Sequence, residues 1–231
     1  MKRTIIITLL LFLASCQDTK TSTTAIAILV DRTDKDIPEP NYKVIQTLLD
    51  LEDNPNNGVV LKFQNIGNTD FNPVQSIEIK EGSLLDNSFQ RKSDVTEFYK
   101  AIGGLIKKEN NKNYSFQKSS ILYPLIENLK ALQEHNGKRV LVLYSDLAEF
   151  SKVYNSYQLN NLKSRSPQMV ASDINSKIEI PRIENTTLYV IYYPETDVQN
   201  DNFKYNLALY KELFKASGLK IRIGIDNQIK Y

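Results

Sequence analysis

The chain has 231 residues, 41% hydrophobic and 24% charged, which suffices for one good-sized globular domain. Its 29 basic and 27 acidic residues nearly cancel, so there is no electrostatic case for nucleic acid or an anionic membrane surface as a partner. A single cysteine (Cys16) and a single histidine (His135) exclude an internal disulfide and zinc sites needing several such ligands, and they leave Cys–His or Ser–His catalysis only one base.

The amino terminus reads as an address. Met1-Lys2-Arg3 is basic, and Ile5 to Leu13 is apolar but far shorter than the roughly 20 residues of a spanning helix. Leu13-Ala14-Ser15-Cys16 follows and resembles the lipobox of bacterial lipoproteins. The resemblance implies cleavage before Cys16 and acylation of its thiol and new amino group. It divides the chain into a signal peptide (1–15), a lipidated cysteine with a polar tether (16–24) and a folded domain (25–231). Lys2 and Arg3 leave with the signal, which brings the two charge counts level at 27. By the sorting rule of enterobacterial lipoproteins, the resemblance implies that Gln17 after the cysteine favours the outer membrane or cell surface over the inner membrane.

Ala25 to Val30 is an unbroken apolar run, as in a strand buried on both faces. Tyr42, Val44, Ile45, Leu48 and Leu49 recur at helical spacing, and Asn54 to Gly58 is a turn. Val59 to Phe63 and Val74 to Lys80 read as strands whose link is too short for a crossover, hence an antiparallel edge pair. Val95, Phe98, Tyr99, Ile102 and Ile106 mark a second helix, with Gly103-Gly104 allowing close helix packing. Lys107 to Asn113 reads as a solvated polar loop. Ser119 or Ser120 can cap a third helix carrying Leu122, Leu125, Ile126, Leu129 and Leu132. Val140 to Tyr144 and Leu188 to Tyr193 are further core strands. Residues 151–185 read as an insertion with a short helix near Met169 to Ile174. Asn202 to Ala216 is a helix closed by Gly218, and Leu219 to Ile225 alternates as a half-exposed edge strand. The order predicts an α/β fold: a doubly wound, mostly parallel six-stranded sheet with one antiparallel edge strand and helices on both faces.

Three polar clusters then meet at the carboxyl ends of the strands: Asp31, Thr33, Asp34 and Lys35; Ser119 and Ser120; and Ser145, Asp146 and Glu149. Carboxylates, hydroxyls and water suit a hard cation such as Mg²⁺ or Mn²⁺. Tyr154, Tyr157, Tyr192 and Tyr193 lie near this rim or the insertion and read either as a recognition surface or as core.

From Ala25 to Ile225 the chain resembles a von Willebrand factor type A domain, through ILVDRTDK, KSSILYPLIENLKAL and VLVLYSDLAE and through the order of elements. The resemblance implies a metal-ion-dependent adhesion site with Asp31, Thr33, Ser119 or Ser120, and Asp146 as ligands. Lys35 departs from it, standing where the family has a second serine. Its ammonium either neutralises Asp31 and Asp146 without a metal or points into solvent, leaving Asp34 or water to complete coordination.

These features imply a lipid-anchored, non-enzymatic module of the bacterial cell envelope that docks a protein partner at a degenerate metal site. A structural subunit of an envelope complex, with no metal, is the alternative. A metal-assisted hydrolase using Asp31 and Asp146 is a further one, and His135 is too far along its helix to serve it as a base.

Overall fold

The computed structural model describes residues 21–69, 71–83, 86–114, 117–158 and 165–224. The signal segment 1–15, Cys16 and residues 17–20 of the tether lie outside the described residues. So do residues 159–164 of the expected insertion and the stretch after Gly224.

Six strands form one sheet: β1 (Thr23–Asp31), β2 (Gly58–Ile66), β3 (Val74–Ile79), β4 (Arg139–Tyr144), β5 (Thr186–Ile191) and β6 (Lys220–Gly224), in the order β3-β2-β1-β4-β5-β6. Every neighbouring pair is parallel except β2–β3, which is antiparallel as the short link requires. Asn72 builds that link, its side chain accepting from the N–H groups of Gly67 and Asn68. From Thr24 to Asp31 every residue of β1 is buried. Successive side chains of a strand point to opposite faces, so both faces of the sheet are covered at its centre. Burying each such aliphatic side chain stabilises the fold by about 1.5–3 kcal/mol.

The described helices are α1 (Tyr42–Leu49), α2 (Ser88–Asn110), α3 (Leu122–Leu132), α4 (Pro167–Asn175) and α5 (Asp197–Leu213). Helix α1 packs on α2, α4 packs on α5, and α3 lies against β1 and β4. The apolar stripe of α2 is buried as its spacing requires. Its last turn, however, continues through Lys107 and Lys108 to Asn110, where the polar composition predicts a loop. Lys112 is likewise not simply solvated: it pairs with the buried carboxylate of Glu109 at 2.7 Å. Gly103 and Gly104 do not serve close packing. A methyl on Gly103 would sit 3.7 Å from the Tyr42 ring, and one on Gly104 would meet nothing.

Helix α5 begins at Asp197, five residues before the apolar pattern predicts, and it ends at Leu213. Its start is a capping box: Thr196 accepts from the N–H of Gln199, and the Gln199 side chain accepts from the N–H of Thr196. Gly218 follows at φ 87°, with the carbonyl oxygen of Ile183 only 2.8 Å from where a Cβ would stand, so no other residue fits.

Candidate metal centre

The strand order reverses at β1, with β2 on one side and β4 on the other. At such a switch point the connections leave in opposite directions and open a crevice at the carboxyl ends of the strands. Asp31 ends β1 there, and Ser145-Asp146 follows β4.

Asp31 is buried at the carboxyl end of β1. One carboxylate oxygen accepts from the Thr33 N–H at 3.0 Å and from the Thr33 hydroxyl at 2.7 Å. The other accepts from the Ser145 hydroxyl at 3.2 Å. The Thr33 hydroxyl also lies 3.3 Å from that of Ser119. Thus Asp31, Thr33, Ser119 and Ser145 form one connected group, drawn from β1, the α3 approach and the β4 loop. Burial pushes the Asp31 carboxyl above its ordinary range, although the hydrogen bonds from Thr33, Ser119 and Ser145 oppose the shift.

Asp146 is half-buried beside this group and accepts the N–H of Ala148 at 2.8 Å. Desolvation pushes its carboxyl up to about 7, opposed by that hydrogen bond and reinforced by the negative charges of Asp31 and Asp34. The next residue, Leu147, is buried in the left-handed conformation at φ 63°, and its N–H is held by the Ser145 hydroxyl at 2.9 Å. Such a conformation stores on the order of 1–2 kcal/mol in a branched residue.

Two alternatives at this rim are decided. Lys35 is exposed and forms no ion pair with Asp31 or Asp146, so the two carboxylates are not neutralised by it. The residues after β1 leave the strand geometry at once, and the Lys35 side chain turns to water. Ser120 does not join the Asp31 group either. Its hydroxyl donates to Glu149 at 3.1 Å.

Nor does a serine cap α3. Ile121 precedes the helix without a side-chain cap of its own. The carboxylate of Glu149 does that work, accepting from the N–H groups of Ile121 at 2.7 Å and Leu122 at 2.8 Å. Glu149 is in turn clamped through its backbone by Ser156, whose N–H donates to the Glu149 carbonyl and whose hydroxyl accepts the Glu149 N–H. The Phe150 N–H reaches the carbonyl of Ser119 at 2.8 Å. The loop carrying Asp146 and the loop carrying Ser119 are therefore one body. No local signal in the sequence marks this cap, because the capping residue lies 27 positions beyond the helix start.

The other walls are supplied from both sides. Arg32 binds Asn65 at 2.7 Å and Asn110 at 3.0 Å, joining the ends of β1, β2 and α2. Gln199 at the α5 start donates to Asp36 at 2.8 Å. Tyr154 and Tyr192 are buried, whereas Tyr157 and Tyr193 are exposed. Desolvation, with the charges of Asp31 and Asp146, pushes the Tyr157 hydroxyl above its ordinary range, and its ring packs edge to face on Phe150. His135 lines a cleft with Thr21 to Thr23, at the opposite end of β1 from Asp31.

Among the described residues no three His, Cys, Asp or Glu side chains converge as a ready metal cage. A cation here would rest on two carboxylates together with hydroxyl and water oxygens. That donor set fits a hard ion and does not fit zinc. The desolvated, mutually repelling Asp31–Asp146 pair is the feature such an ion would relieve.

No protein-family model matches the sequence, and no curated protein matches it. Among solved structures the fold is similar to the human COPII-coat protein Sec24c, at 11% identity and a TM-score of 0.36 over 92% of this chain and 31% of that one. It is also similar to the D319A mutant of the PilB minor pilin from Streptococcus sanguinis, at 10% identity and a TM-score of 0.44 over 91% of this chain and 59% of that one. The chain thus spans under a third of the first and about three fifths of the second.

Proposed function

We propose that the chain is a non-enzymatic binding module of the bacterial cell envelope, anchored by lipid on Cys16, which docks a protein partner through a divalent cation at the Asp31–Asp146 rim. The observation that carries this reading is the pair itself. Burial raises the proton affinity of both carboxyls at a topological switch point, the charge of Asp31 adds to it at Asp146, and among the described residues no cationic side chain forms an ion pair with either. Asp31, Thr33, Ser119 and Asp146 would hold Mg²⁺ or Mn²⁺, directly or through water, with Ser145 orienting Asp31. A carboxylate from the partner is the natural further ligand for a hard ion with an open position. The likeness of ILVDRTDK and VLVLYSDLAE to the type A domain motifs supports the same assignment.

The test is thermal unfolding of the full chain in detergent, titrated with Mg²⁺ and with Mn²⁺. A site of this kind raises stability by about 2.7 kcal/mol at a hundredfold excess over the dissociation constant. The rise must vanish in Asp146→Asn. No rise with either ion sinks the metal reading.

One observation favours a second reading, a structural subunit without metal. Three donors already satisfy the Asp31 carboxylate, so the group closes on itself. In that case neither ion shifts the unfolding curve, and Asp31→Ala lowers it in chelator alone.

A further inference from the structure

Beside the rim lies an open cleft of about 500 Å³, lined by Thr69, Ser120, Tyr123, Phe150, Ser151 and Lys152. It adjoins the candidate metal centre through Ser120, the neighbour of Ser119, and through Phe150, whose N–H donates to the Ser119 carbonyl. Phe150 meets Tyr157 edge to face, with centroids 6.4 Å apart. Tyr123 and Tyr157 are both about two fifths exposed, far more than a folded core would leave them. The ammonium of Lys118 stands 4.4 Å from the Phe150 centroid and 5.7 Å from that of Tyr157. Lys118 and Lys152 are exposed, and neither forms an ion pair with any described residue.

Apolar rings flanked by two uncompensated ammonium groups call for a ligand with the opposite charge and an apolar part. Exposed aromatic rings give large contact area at little conformational cost, and a cation seated over a ring is already partly desolvated. The rigid link from Ser119 to Phe150 keeps the cleft in register with the rim. We propose that this cleft receives an acidic peptide segment of the docked partner, with an apolar side chain between Tyr123 and Phe150 and a carboxylate on Lys118 and Lys152. The inference rests on the binding-module reading and adds the chemistry of the partner to it. It does not itself require the metal.

The test is selection from a random dodecapeptide display library against the full chain in detergent, with Mg²⁺ or with chelator. Enriched peptides should place an acidic residue within a few positions of a large apolar one. Lys118→Glu with Lys152→Glu should lower their recovery about tenfold, or about 1.4 kcal/mol. Tyr123→Ser should lower it with all charges kept. Unfolding curves of these surface variants should match that of the parent chain. The absence of enrichment, enrichment of peptides without acidic residues, or binding indifferent to the charge reversals overturns the proposal. If the peptides bind equally in chelator but need the lysines, the cleft stands and the metal reading falls. If they need Mg²⁺ but ignore the lysines, the metal reading stands and the cleft falls.

Discussion

The carboxylate of Glu149 accepts the backbone N–H of Leu122 at 2.8 Å, so the loop after β4 caps the helix that begins on the far side of the rim. Burial alone raises the proton affinity of this carboxyl, and the donors from Leu122, Ser151, Ile121 and Ser120 counter it. Glu149→Ala removes the acceptor for Ile121, Leu122 and Ser120 together. It should destabilise the domain by about 2–4 kcal/mol, read by denaturant unfolding. Glu149→Gln keeps an acceptor oxygen and should lose less. If both variants unfold like the parent, Glu149 is not the cap that joins the two loops.

Stability in chelator should fall as pH rises from about 4 to about 7. An unfolded aspartate ionises near 3.9, whereas Asp146 in the fold holds its proton to about 7. Between those values the folded state binds more protons, so raising the pH favours the unfolded chain. Asp31 is shifted in the same direction and adds to the slope. Allowing for solvent at the open face, the Asp146 part is on the order of 1–2 kcal/mol. Asp146→Asn should flatten that part of a plot of melting temperature against pH.

Lys35→Ser should strengthen binding of Mg²⁺, measured by calorimetry. Lys35 is exposed and forms no ion pair with the rim carboxylates, so its removal leaves no buried charge unpaired. The change takes a positive charge away from the approach and supplies a hydroxyl where the proposed type A resemblance has a serine. An unchanged or weaker affinity would mean that position 35 does not face the ion.

The glycines separate cleanly. Gly104 is exposed inside α2 with open space around it, so Gly104→Ala should stabilise by about 0.5–1 kcal/mol. Gly218→Ala meets both a positive φ and the Ile183 carbonyl, and should destabilise by about 1–3 kcal/mol. Thermal unfolding of the two variants should move in opposite directions.

The parts legible in the sequence are those where burial is symmetrical. β1, β4 and β5 are unbroken apolar runs because both faces are covered, and the antiparallel edge followed from a link too short to cross over. Asp31, Thr33 and Asp146 sit at the rim because they lie at or just after the ends of β1 and β4, and Ser119 because it precedes α3. What escaped is long-range or purely polar. The first two turns of α5 carry almost no apolar residues to repeat, so only the Thr196–Gln199 box marks the start. The Glu149 cap and the outward turn of Lys35 depend on tertiary contacts and loop path, which no periodicity encodes. Ser120 looked equivalent to Ser119 because one residue of rotation decides which hydroxyl faces Asp31 and which faces Glu149.

The placement of β1 has a kinetic consequence. It precedes the other described strands in the chain, yet one of its two neighbours, β4, comes far later, and Ser145 and Asp31 are 114 positions apart when they meet. A contact of that sequence separation is slow to close, because a long loop must be ordered before the pairing rewards it. Until β4 arrives, an apolar edge of the innermost strand stays open to other chains. Refolding from denaturant should therefore be slow and limited by protein concentration, and a holding chaperone should raise its yield by shielding residues 25–30.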